Sequence, residues 1–237
     1  MLNAIGLENI GIEKFLIEKL PPLLKRGCTV IANFFGASIE EYAKSAERLD
    51  RSEGIKALEA NISCPNVKGE GKYFGSTPQL VEAVTKACRK ATKKPLIMKL
   101  TPEVRDIAEV ARAAEGAGAD AISLINTIPA MTIDIKTRLP RLANITGGLS
   151  GPAIRPIALR MVWEVARTVK IPVIGVGGIA QYEDAIEFLI AGAKAIQVGT
   201  ATFSNPRASL DIIEGIEKFL KEEGIKDINE IIGTLKV

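Results

Sequence analysis

The residues with the clearest chemical potential lie in the hexapeptide NISCPN, where Cys64 stands between Asn61 and Asn66. The chain contains no histidine, so the side chain most often used to move a proton near neutral pH is missing. A thiolate is a suitable base in its place. The two asparagines can donate and accept hydrogen bonds, which suits a planar, amide-bearing ligand better than a phosphate or a metal. The hexapeptide therefore predicts a proton-transfer site with Cys64 as its base.

The other two cysteines have a simpler interpretation. Most single cysteines are small buried apolar residues, and we expect this of Cys28, which precedes a strand, and of Cys88, which lies in a helical pattern. Cys64 differs because it follows a strand end beside Pro65, at the start of the glycine-rich segment NVKGEGKYFGS, which we interpret as a lid. The irregular cysteine spacing predicts no disulfide framework, and no group of residues has metal-ligand spacing.

Lys99 is a second candidate because it closes the apolar strand PLIMKL. A partly buried lysine is costly unless it meets an anion or an electron-rich group, although a side chain that reaches solvent at the rim is the alternative. Other strands also end in polar or small residues, namely Asn33, Asn61, Asn126, Gly177–Gly178 and Gly199–Thr200. Such residues at the carboxyl ends of successive strands are typical of the active face of a (β/α)8 barrel.

The elements that must position these residues alternate along the chain. The predicted strands are TVIANF, ALEANIS, PLIMKLT, AISLINT, PVIGVGG and AIQVGTA, and each is followed by an amphipathic stretch of helical period. No G-x-G-x-x-G fingerprint supports a doubly wound sheet instead. We predict an α/β fold, a (β/α)8 TIM barrel that is N-terminally truncated to about six βα units. We expect a single domain over residues 1–237.

Two glycine-rich strand ends, PVIGVGGI and AIQVGTA, each lie just before a helix near the end of the chain. The backbone N–H groups at a helix start attract phosphate, and the last two βα loops of a barrel are its usual phosphate site. The alternative is that these glycines only form tight turns. A third glycine-rich stretch, TGGLSGPAI, is compatible with a cofactor cradle or with a hinge.

Composition limits the class of protein. Of the 237 residues, 47% are hydrophobic and 25% charged, which is ordinary for a globular protein. The net charge of +3 is too small and too scattered for nucleic-acid binding. No signal peptide and no apolar run of membrane-spanning length is visible, so we expect a cytoplasmic protein. The Lys-, Glu- and Ile-rich composition is typical of a thermophile.

Several motifs together resemble class 1 dihydroorotate dehydrogenases, and most closely their NAD-linked, two-subunit branch. The resemblance covers the whole chain. It lies in NAIGL, ANFFG, NISCPNVKGEGKYFG, INT, LANITGGLSGPAIRPIAL, GVGGI and VGTA. NISCPN together with LANITGGLSGPAI is its most specific part, whereas the glycine loops alone would suit many FMN barrels.

The resemblance implies FMN-dependent oxidation of dihydroorotate to orotate in pyrimidine (UMP) biosynthesis. Cys64 is then the base that takes the C5 proton, while hydride passes from C6 to N5 of FMN. The implied substrate-binding residues are Asn3, Ala4, Ile5, Gly6, Leu7, Asn61, Asn66, Asn126 and Thr127. Lys99 is implied to face the isoalloxazine and stabilise the reduced flavin. The other implied FMN contacts are Asn33, Asn61, Ile125 and Gly151, with Gly177, Gly178, Gly199 and Thr200 at the phosphate.

The resemblance also implies partners. In that branch, an electron-transfer subunit carrying FAD and an iron–sulfur cluster passes electrons to NAD, and a homodimer of the catalytic subunit forms the core of a heterotetramer. In the family, a β-hairpin, the first strand and helix and the second strand precede NAIGL. We therefore expect the first two barrel strands of the family to be absent from this chain.

Two alternatives remain at this point. One is another FMN barrel oxidoreductase of the dihydropyrimidine dehydrogenase type, which also carries a cysteine on a mobile loop. The other is an inactive truncated barrel that binds a partner chain or nothing. Comparing the binding of orotate with that of uracil distinguishes the first alternative from a dihydroorotate dehydrogenase. The visible flavin spectrum of the purified protein distinguishes the second, because an inactive barrel without flavin is colourless.

Overall fold

The computed structural model of the chain describes residues 1–63 and 74–236. In chain order the strands are β1 (Leu2–Asn3), β2 (Val30–Phe34), β3 (Ile55–Asn61), β4 (Leu96–Lys99), β5 (Ala121–Leu124), β6 (Ile128–Met131), β7 (Ile133–Asp134), β8 (Leu139–Pro140), β9 (Thr146–Leu149), β10 (Val173–Val176) and β11 (Ala195–Gln197).

The α-helices are α1 (Ile12–Lys14), α2 (Leu20–Lys25), α3 (Ile39–Asp50), α4 (Pro78–Ala91), α5 (Ile107–Gly116), α6 (Arg155–Ala166), α7 (Tyr182–Ile190), α8 (Ala201–Ser204) and α9 (Ala208–Glu222). A π-helical stretch, Phe15–Lys19, joins α1 to α2, and 3-10 turns form at Pro152–Ile154 and Ile228–Glu230. Among the described residues, no helix has both the length and the apolar character needed to cross a membrane.

The chain forms two compact units, which are best described separately. One consists of Gly6–Ile122, and the other of Met1–Ile5 with Ser123–Val237. The prediction of a single domain over residues 1–237 stays a prediction.

In the unit Gly6–Ile122, β3 lies between β2 and β4, and both pairings are parallel. Parallel pairing requires a crossover, and α3 and α4 provide it between successive strands. The register places Asn33 beside Glu59 and Asn61 beside Lys99. Helix α4 packs against both α3 and α5. Since paired residues in a sheet point to the same face, the polar ends of these strands share one face.

The helices of this unit begin where the sequence supplies a cap. Ser38 accepts a hydrogen bond from the backbone of Glu41 at the start of α3, and Thr77 accepts one from Leu80 at the start of α4. Asp106 caps α5 in the same way. Each cap satisfies a backbone N–H that has no partner within its helix, which fixes where the helix starts.

Asp50, at the end of α3, holds the segment that leads into β4. Its carboxyl accepts hydrogen bonds from the Thr92 hydroxyl at 2.5 Å, from the Lys93 backbone N–H at 2.8 Å and from the Lys94 backbone N–H at 3.2 Å. The Thr92 hydroxyl, followed by these backbone donors, lowers the pKa of Asp50 from its ordinary value. The carboxyl group therefore ties α3 to the start of the strand that ends at Lys99.

In the other unit, β10 lies between β5 and β11, and β10 pairs in parallel with β11. Helix α7 packs against α6 and α9. The unit also contains an antiparallel sheet in which β9 lies between β1 and β6, together with the hairpin of β7 and β8. The antiparallel strands were not predicted from the sequence.

The prediction of an α/β fold with about six βα units is confirmed. Each of the six predicted strands coincides with one of β2, β3, β4, β5, β10 and β11, and helices separate them along the chain. The predicted strands extend one or more residues beyond the observed ones, mainly at the carboxyl ends. In the last three strands the additional residues include Ile125–Thr127, Gly177–Gly178 and Gly199–Thr200, to which the sequence assigns chemistry, whereas Asn33, Asn61 and Lys99 lie within the observed strands.

The Asp50 contacts predict a pH-dependent loss of stability in Asp50→Asn. The carboxylate has a lowered pKa in the folded chain, so its contribution is present above the unfolded value of 3.8 and is lost as the pH falls through the lower folded value. We expect a lower urea midpoint for Asp50→Asn at neutral pH and a difference from the unmodified chain that shrinks as the pH falls below 3.8.

Glu53→Gln is the control, because Glu53 is an exposed carboxyl close in sequence to Asp50. We expect it to leave the urea midpoint unchanged. A difference for Asp50→Asn that is equally large at every pH would contradict the assigned role of the carboxylate.

Candidate active site

In the unit Gly6–Ile122, the carboxyl ends of β3 and β4 bring two predicted site residues together. Asn61 is paired with Lys99 and is 7% exposed, whereas Lys99 is half-buried. The Tyr42 hydroxyl, which is buried, donates a hydrogen bond of 2.7 Å to the backbone carbonyl of Asn61. The register thus places an asparagine and a lysine side by side where β3 and β4 end.

The side-chain amide of Asn61 is itself held in place. Its Oδ1 accepts a hydrogen bond of 2.7 Å from the Ser63 hydroxyl and a longer one of 3.4 Å from the Ser63 backbone N–H. Ser63 is 2% exposed. The oxygen of the Asn61 amide therefore faces Ser63, which fixes the orientation of the amide.

Glu59 is a residue of this edge that the sequence analysis missed. It lies two residues before Asn61 on the same face of β3, and it is only 5% exposed. The Nδ2 of Asn33 donates a hydrogen bond of 2.6 Å to Glu59 Oε2. The available signal was a charged residue inside the apolar strand ALEANIS, because glutamate is rarely buried without a partner. The strand end thus carries a buried carboxyl group beneath its amides.

In the other unit, the glycine loops meet. Gly177 and Gly178 have φ values of 137° and 78°, conformations that residues with a side chain rarely adopt. A Cβ atom at Gly178 would lie 2.7 Å from the carbonyl oxygen of Gly151, and one at Gly177 would lie 3.5 Å from Cγ1 of Ile125. A Cβ atom at Gly151 would lie 3.6 Å from Cγ2 of Thr200. Five of the six cofactor residues predicted in this unit are therefore close neighbours.

Hydroxyl groups line the same place. The Thr200 hydroxyl donates a hydrogen bond of 2.8 Å to the Ser150 hydroxyl. Gly199, the remaining predicted cofactor residue of this unit, is exposed, and a Cβ atom there would meet nothing within 4 Å. Glycines leave room for a phosphate close to the backbone, and backbone N–H and hydroxyl groups can donate hydrogen bonds to it. These residues therefore fit the phosphate of FMN.

A buried ion pair that the sequence analysis did not single out holds the glycine loop. Asp184 accepts hydrogen bonds from the backbone N–H groups of Ala180 and Gln181, at 2.9 and 3.1 Å. The Asp184 side chain is 4% exposed, and Arg155 forms an ion pair with it. A Cβ atom at Gly178 would lie 2.8 Å from Cβ of Arg155, so this pair adjoins the loop. The carboxylate therefore anchors the chain immediately after Gly178.

Some of the predicted substrate residues near the N-terminus lie close to those that follow β5. Asn3 Nδ2 donates a hydrogen bond of 3.4 Å to the carbonyl of Gly148, and the Thr127 side chain lies where a Cβ atom of Gly148 would be. Asn126 Oδ1 accepts a hydrogen bond of 2.8 Å from the Thr127 backbone N–H. Gly148 thus brings Asn3 next to Thr127.

The segment Ala4–Leu7 spans the boundary between the units. Ala4 and Ile5 are exposed in one unit, and Gly6 and Leu7 follow in the other with φ values of 77° and 62°. The backbone at Gly6 and Leu7 is therefore in the left-handed region and not extended. Its predicted role in substrate binding stays a prediction.

Cys64 and Asn66 lie outside the described residues, as does most of the segment interpreted as a lid. Of the other cysteines, Cys88 is buried as expected, and burial raises the pKa of its thiol to about 12. The expectation for Cys28 was wrong, because this residue is exposed in the loop between α2 and β2. The error has a local cause, since the residues before β2 form a turn and only the strand itself enters the core. In the described parts of the chain, no group of three or more acidic or cysteine side chains could hold a metal ion.

Comparison with known proteins relates this arrangement to a family. The family model for dihydroorotate dehydrogenase matches residues 1–220. The dihydroorotate dehydrogenase B (NAD(+)) catalytic subunit of Thermodesulfovibrio yellowstonii is 61% identical over 236 residues, and the match covers 100% of this chain and 78% of the relative. The protein of the same name from Trichlorobacter lovleyi is 58% identical, with the same coverage.

A solved structure supports the fold. The crystal structure of DHODH from Eimeria tenella in complex with ferulenol superposes with a TM-score of 0.78, covering 98% of this chain and 70% of that one. Its sequence identity is 20%, so this likeness concerns the fold alone. The family model and the closely similar relatives go further, and they show that the chain belongs to the dihydroorotate dehydrogenase family.

Proposed function

We propose that the chain oxidises dihydroorotate to orotate with FMN, as the catalytic subunit of an NAD-linked enzyme of pyrimidine biosynthesis. The observation that carries the proposal is the register that sets Asn61 beside Lys99, in a chain that belongs to this family. An amide suits a pyrimidine ring, and a half-buried ammonium group suits an electron-rich flavin. Relatives that cover the whole chain are named as catalytic subunits of such an enzyme.

When bound, FMN would supply the acceptor for the hydride that C6 of dihydroorotate loses. Cys64 takes the proton from C5 as thiolate, and the C5–C6 double bond of orotate forms. Cys64 is suited to this task because the chain has no histidine. The asparagines hold the ring so that its C5 proton faces the thiolate, and this orientation contributes to the rate.

The remaining residues divide into two groups. The substrate ring and its carboxylate are held by Asn3, the backbone of Ala4–Leu7, Asn61, Asn66, Asn126 and Thr127. The flavin ring is held by Asn33, Asn61, Lys99, Ile125 and Gly151, and its phosphate by Gly177, Gly178, Gly199 and Thr200. The adjacency of Gly151, Gly178 and Thr200 supports the second group.

The acceptor of the electrons is a partner subunit that carries FAD and an iron–sulfur cluster and reduces NAD. Two copies of this chain form the core of the resulting heterotetramer, which works in the cytoplasm. The names of the similar relatives support the use of NAD and the existence of a partner subunit, because they describe the catalytic subunit of an enzyme that uses NAD(+).

The phosphate assignment predicts a specific defect in Gly178→Ala. The added Cβ would lie 2.7 Å from the Gly151 carbonyl and would force the loop out of position. We expect the affinity for FMN to fall by about 10-fold or more while the affinity for riboflavin, which lacks the phosphate, changes little. Fluorescence titration of both flavins gives the ratio of the two dissociation constants.

Gly224→Ala is the matched control. Gly224 also has a positive φ, of 69°, but a Cβ atom there would meet nothing within 4 Å. Gly224→Ala therefore introduces backbone strain without a clash at the phosphate loop. The ratio of the FMN and riboflavin dissociation constants should stay as in the unmodified chain. An unchanged ratio in Gly178→Ala would show that the phosphate lies elsewhere.

The role of Cys64 predicts how flavin reduction depends on pH. An unperturbed thiol has a pKa of about 8.5, so the rate of FMN reduction by dihydroorotate should rise through one ionisation in that region. Cys64→Ser should retain orotate binding and lose about 10²- to 10⁴-fold in rate, because a hydroxyl is rarely ionised near neutrality. Single-turnover reduction followed in the visible flavin band measures the rate.

Cys64→Ala should be at least as slow as Cys64→Ser. Cys28→Ser and Cys88→Ala are the controls: the first replaces an exposed thiol, and the second a buried one with a pKa of about 12. Both should keep the rate, although Cys88→Ala lowers stability. Near-normal reduction by flavin-loaded Cys64→Ala would exclude the thiol as the base.

A further inference from the structure

We propose that Glu59 and Ser63 are positioning residues that fix the amides of Asn33 and Asn61 in opposite orientations. Asn33 then presents its oxygen, as a hydrogen-bond acceptor, and Asn61 presents its NH2 group, as a donor. This inference rests on the proposed function, since it takes the two asparagines to contact FMN and the pyrimidine substrate. Glu59 and Ser63 are thereby added to the proposed site, and the two asparagines gain a defined donor–acceptor pattern.

The orientation of Asn33 follows from its partner. Asn33 Nδ2 lies 2.6 Å from Glu59 Oε2, and a carboxylate can only accept hydrogen bonds. Turning the amide over would bring Asn33 Oδ1 against a carboxylate oxygen, which is repulsive in a buried place. Within the described residues, Asn33 Oδ1 accepts no hydrogen bond, and the Asn33 side chain is exposed. The oxygen is therefore the end that a ligand meets.

The orientation of Asn61 follows from two donors at one oxygen. The hydroxyl and the backbone N–H of Ser63 both approach Asn61 Oδ1, at 2.7 and 3.4 Å. A hydroxyl can donate or accept, but a backbone N–H can only donate, so the pair requires an oxygen at this position. Asn61 Nδ2 donates to no acceptor within the described residues. Among the described residues, its two N–H groups are therefore the end that we assign to a ligand.

Burial makes both orientations persistent. Glu59, Asn61 and Ser63 are 5%, 7% and 2% exposed, so water does not readily replace their mutual hydrogen bonds. Because Tyr42 also holds the backbone of Asn61, the strand end cannot shift to relieve a mismatched ligand. The two amides thus form a fixed acceptor and a fixed donor on one face of the sheet.

This pattern selects a chemical class of ligand. A cyclic imide or ureide carries N–H donors that alternate with carbonyl acceptors around its ring. Such an edge can give an N–H to Asn33 and accept from Asn61, whereas a ring with acceptors alone sets its oxygen against Asn33 Oδ1 and loses that hydrogen bond. The pyrimidinedione parts of flavin and of orotate both belong to the imide class.

The first test is a double-mutant cycle on FMN affinity, with Glu59→Gln and Asn33→Ala. Glutamine has the size of glutamate but can both donate and accept, so Asn33 is free to turn over. We expect Glu59→Gln to weaken FMN binding by about 3- to 10-fold, the equivalent of one ordinary hydrogen bond. In the Asn33→Ala background, the effect of Glu59→Gln should be clearly smaller, because the part that acts through Asn33 is already lost.

The second cycle uses Ser63→Ala and Asn61→Ala, with orotate binding to the flavin-loaded chain as the readout. Ser63→Ala should weaken orotate binding by about 3- to 10-fold, and this effect should again be clearly smaller in the Asn61→Ala background. Thr85→Val is the control for loss of a buried hydroxyl, since Thr85 is fully buried and bonds to Val81 within α4. It should lower the urea midpoint without changing either affinity.

The outcomes separate this inference from the proposed function. If the unmodified chain binds FMN and dihydroorotate reduces it, but the effects in both cycles are additive or absent, the positioning roles are wrong and the function stands. Absence of FMN binding by the unmodified chain would overturn both. Urea midpoints of all variants, measured in parallel, exclude unfolding as the cause of a weaker affinity.

Discussion

The parallel register of β2, β3 and β4 is the constraint on which the chemistry of this chain depends. It sets Asn33 beside Glu59 and Asn61 beside Lys99. A slip of one residue would turn Glu59 and Asn61 to the opposite face of the sheet, among apolar side chains such as Leu58 and the core of the unit. The apolar residues that alternate with the polar ones therefore determine where the polar ones lie.

A second feature is that polar side chains of the edge are held by other side chains rather than by solvent. Glu59 holds Asn33, Ser63 holds Asn61, and Tyr42 holds the backbone at the end of β3. In the other unit, Asp184 holds the loop that follows Gly178. In both units the groups that we propose to contact ligands are already held by neighbouring residues, which lowers the cost of ordering them on binding.

The strands and their polar ends could be predicted from the sequence because both depend on local pattern. Runs such as PLIMKL are apolar and β-branched, and the change to a polar residue marks where the strand leaves the core. Family motifs then assigned roles to those ends. The glycines of GVGGI were predictable for the same reason, since only glycine readily adopts the φ values of 137° and 78° found there.

The partners of these residues could not be predicted in this way. The contact between Asn33 and Glu59 joins residues 26 positions apart, and it depends on a strand register that no single segment specifies. The antiparallel strands β6 and β9 likewise lack an alternating apolar pattern, because their residues are mostly half-exposed and include glycines. Exposure of Cys28 depends on where the chain turns before β2, and element boundaries are the least predictable part of a sequence.

The central claim is that the strand ends of this chain hold FMN and dihydroorotate together for oxidation. Anaerobic titration of the FMN-loaded chain tests it most directly, with the visible flavin band and orotate formation followed together. The account predicts that dihydroorotate bleaches the band, that orotate appears in an equal molar amount, and that dihydrouracil leaves the band intact. A band that stays intact with dihydroorotate while FMN remains bound, or one that dihydrouracil bleaches equally well, would contradict the account.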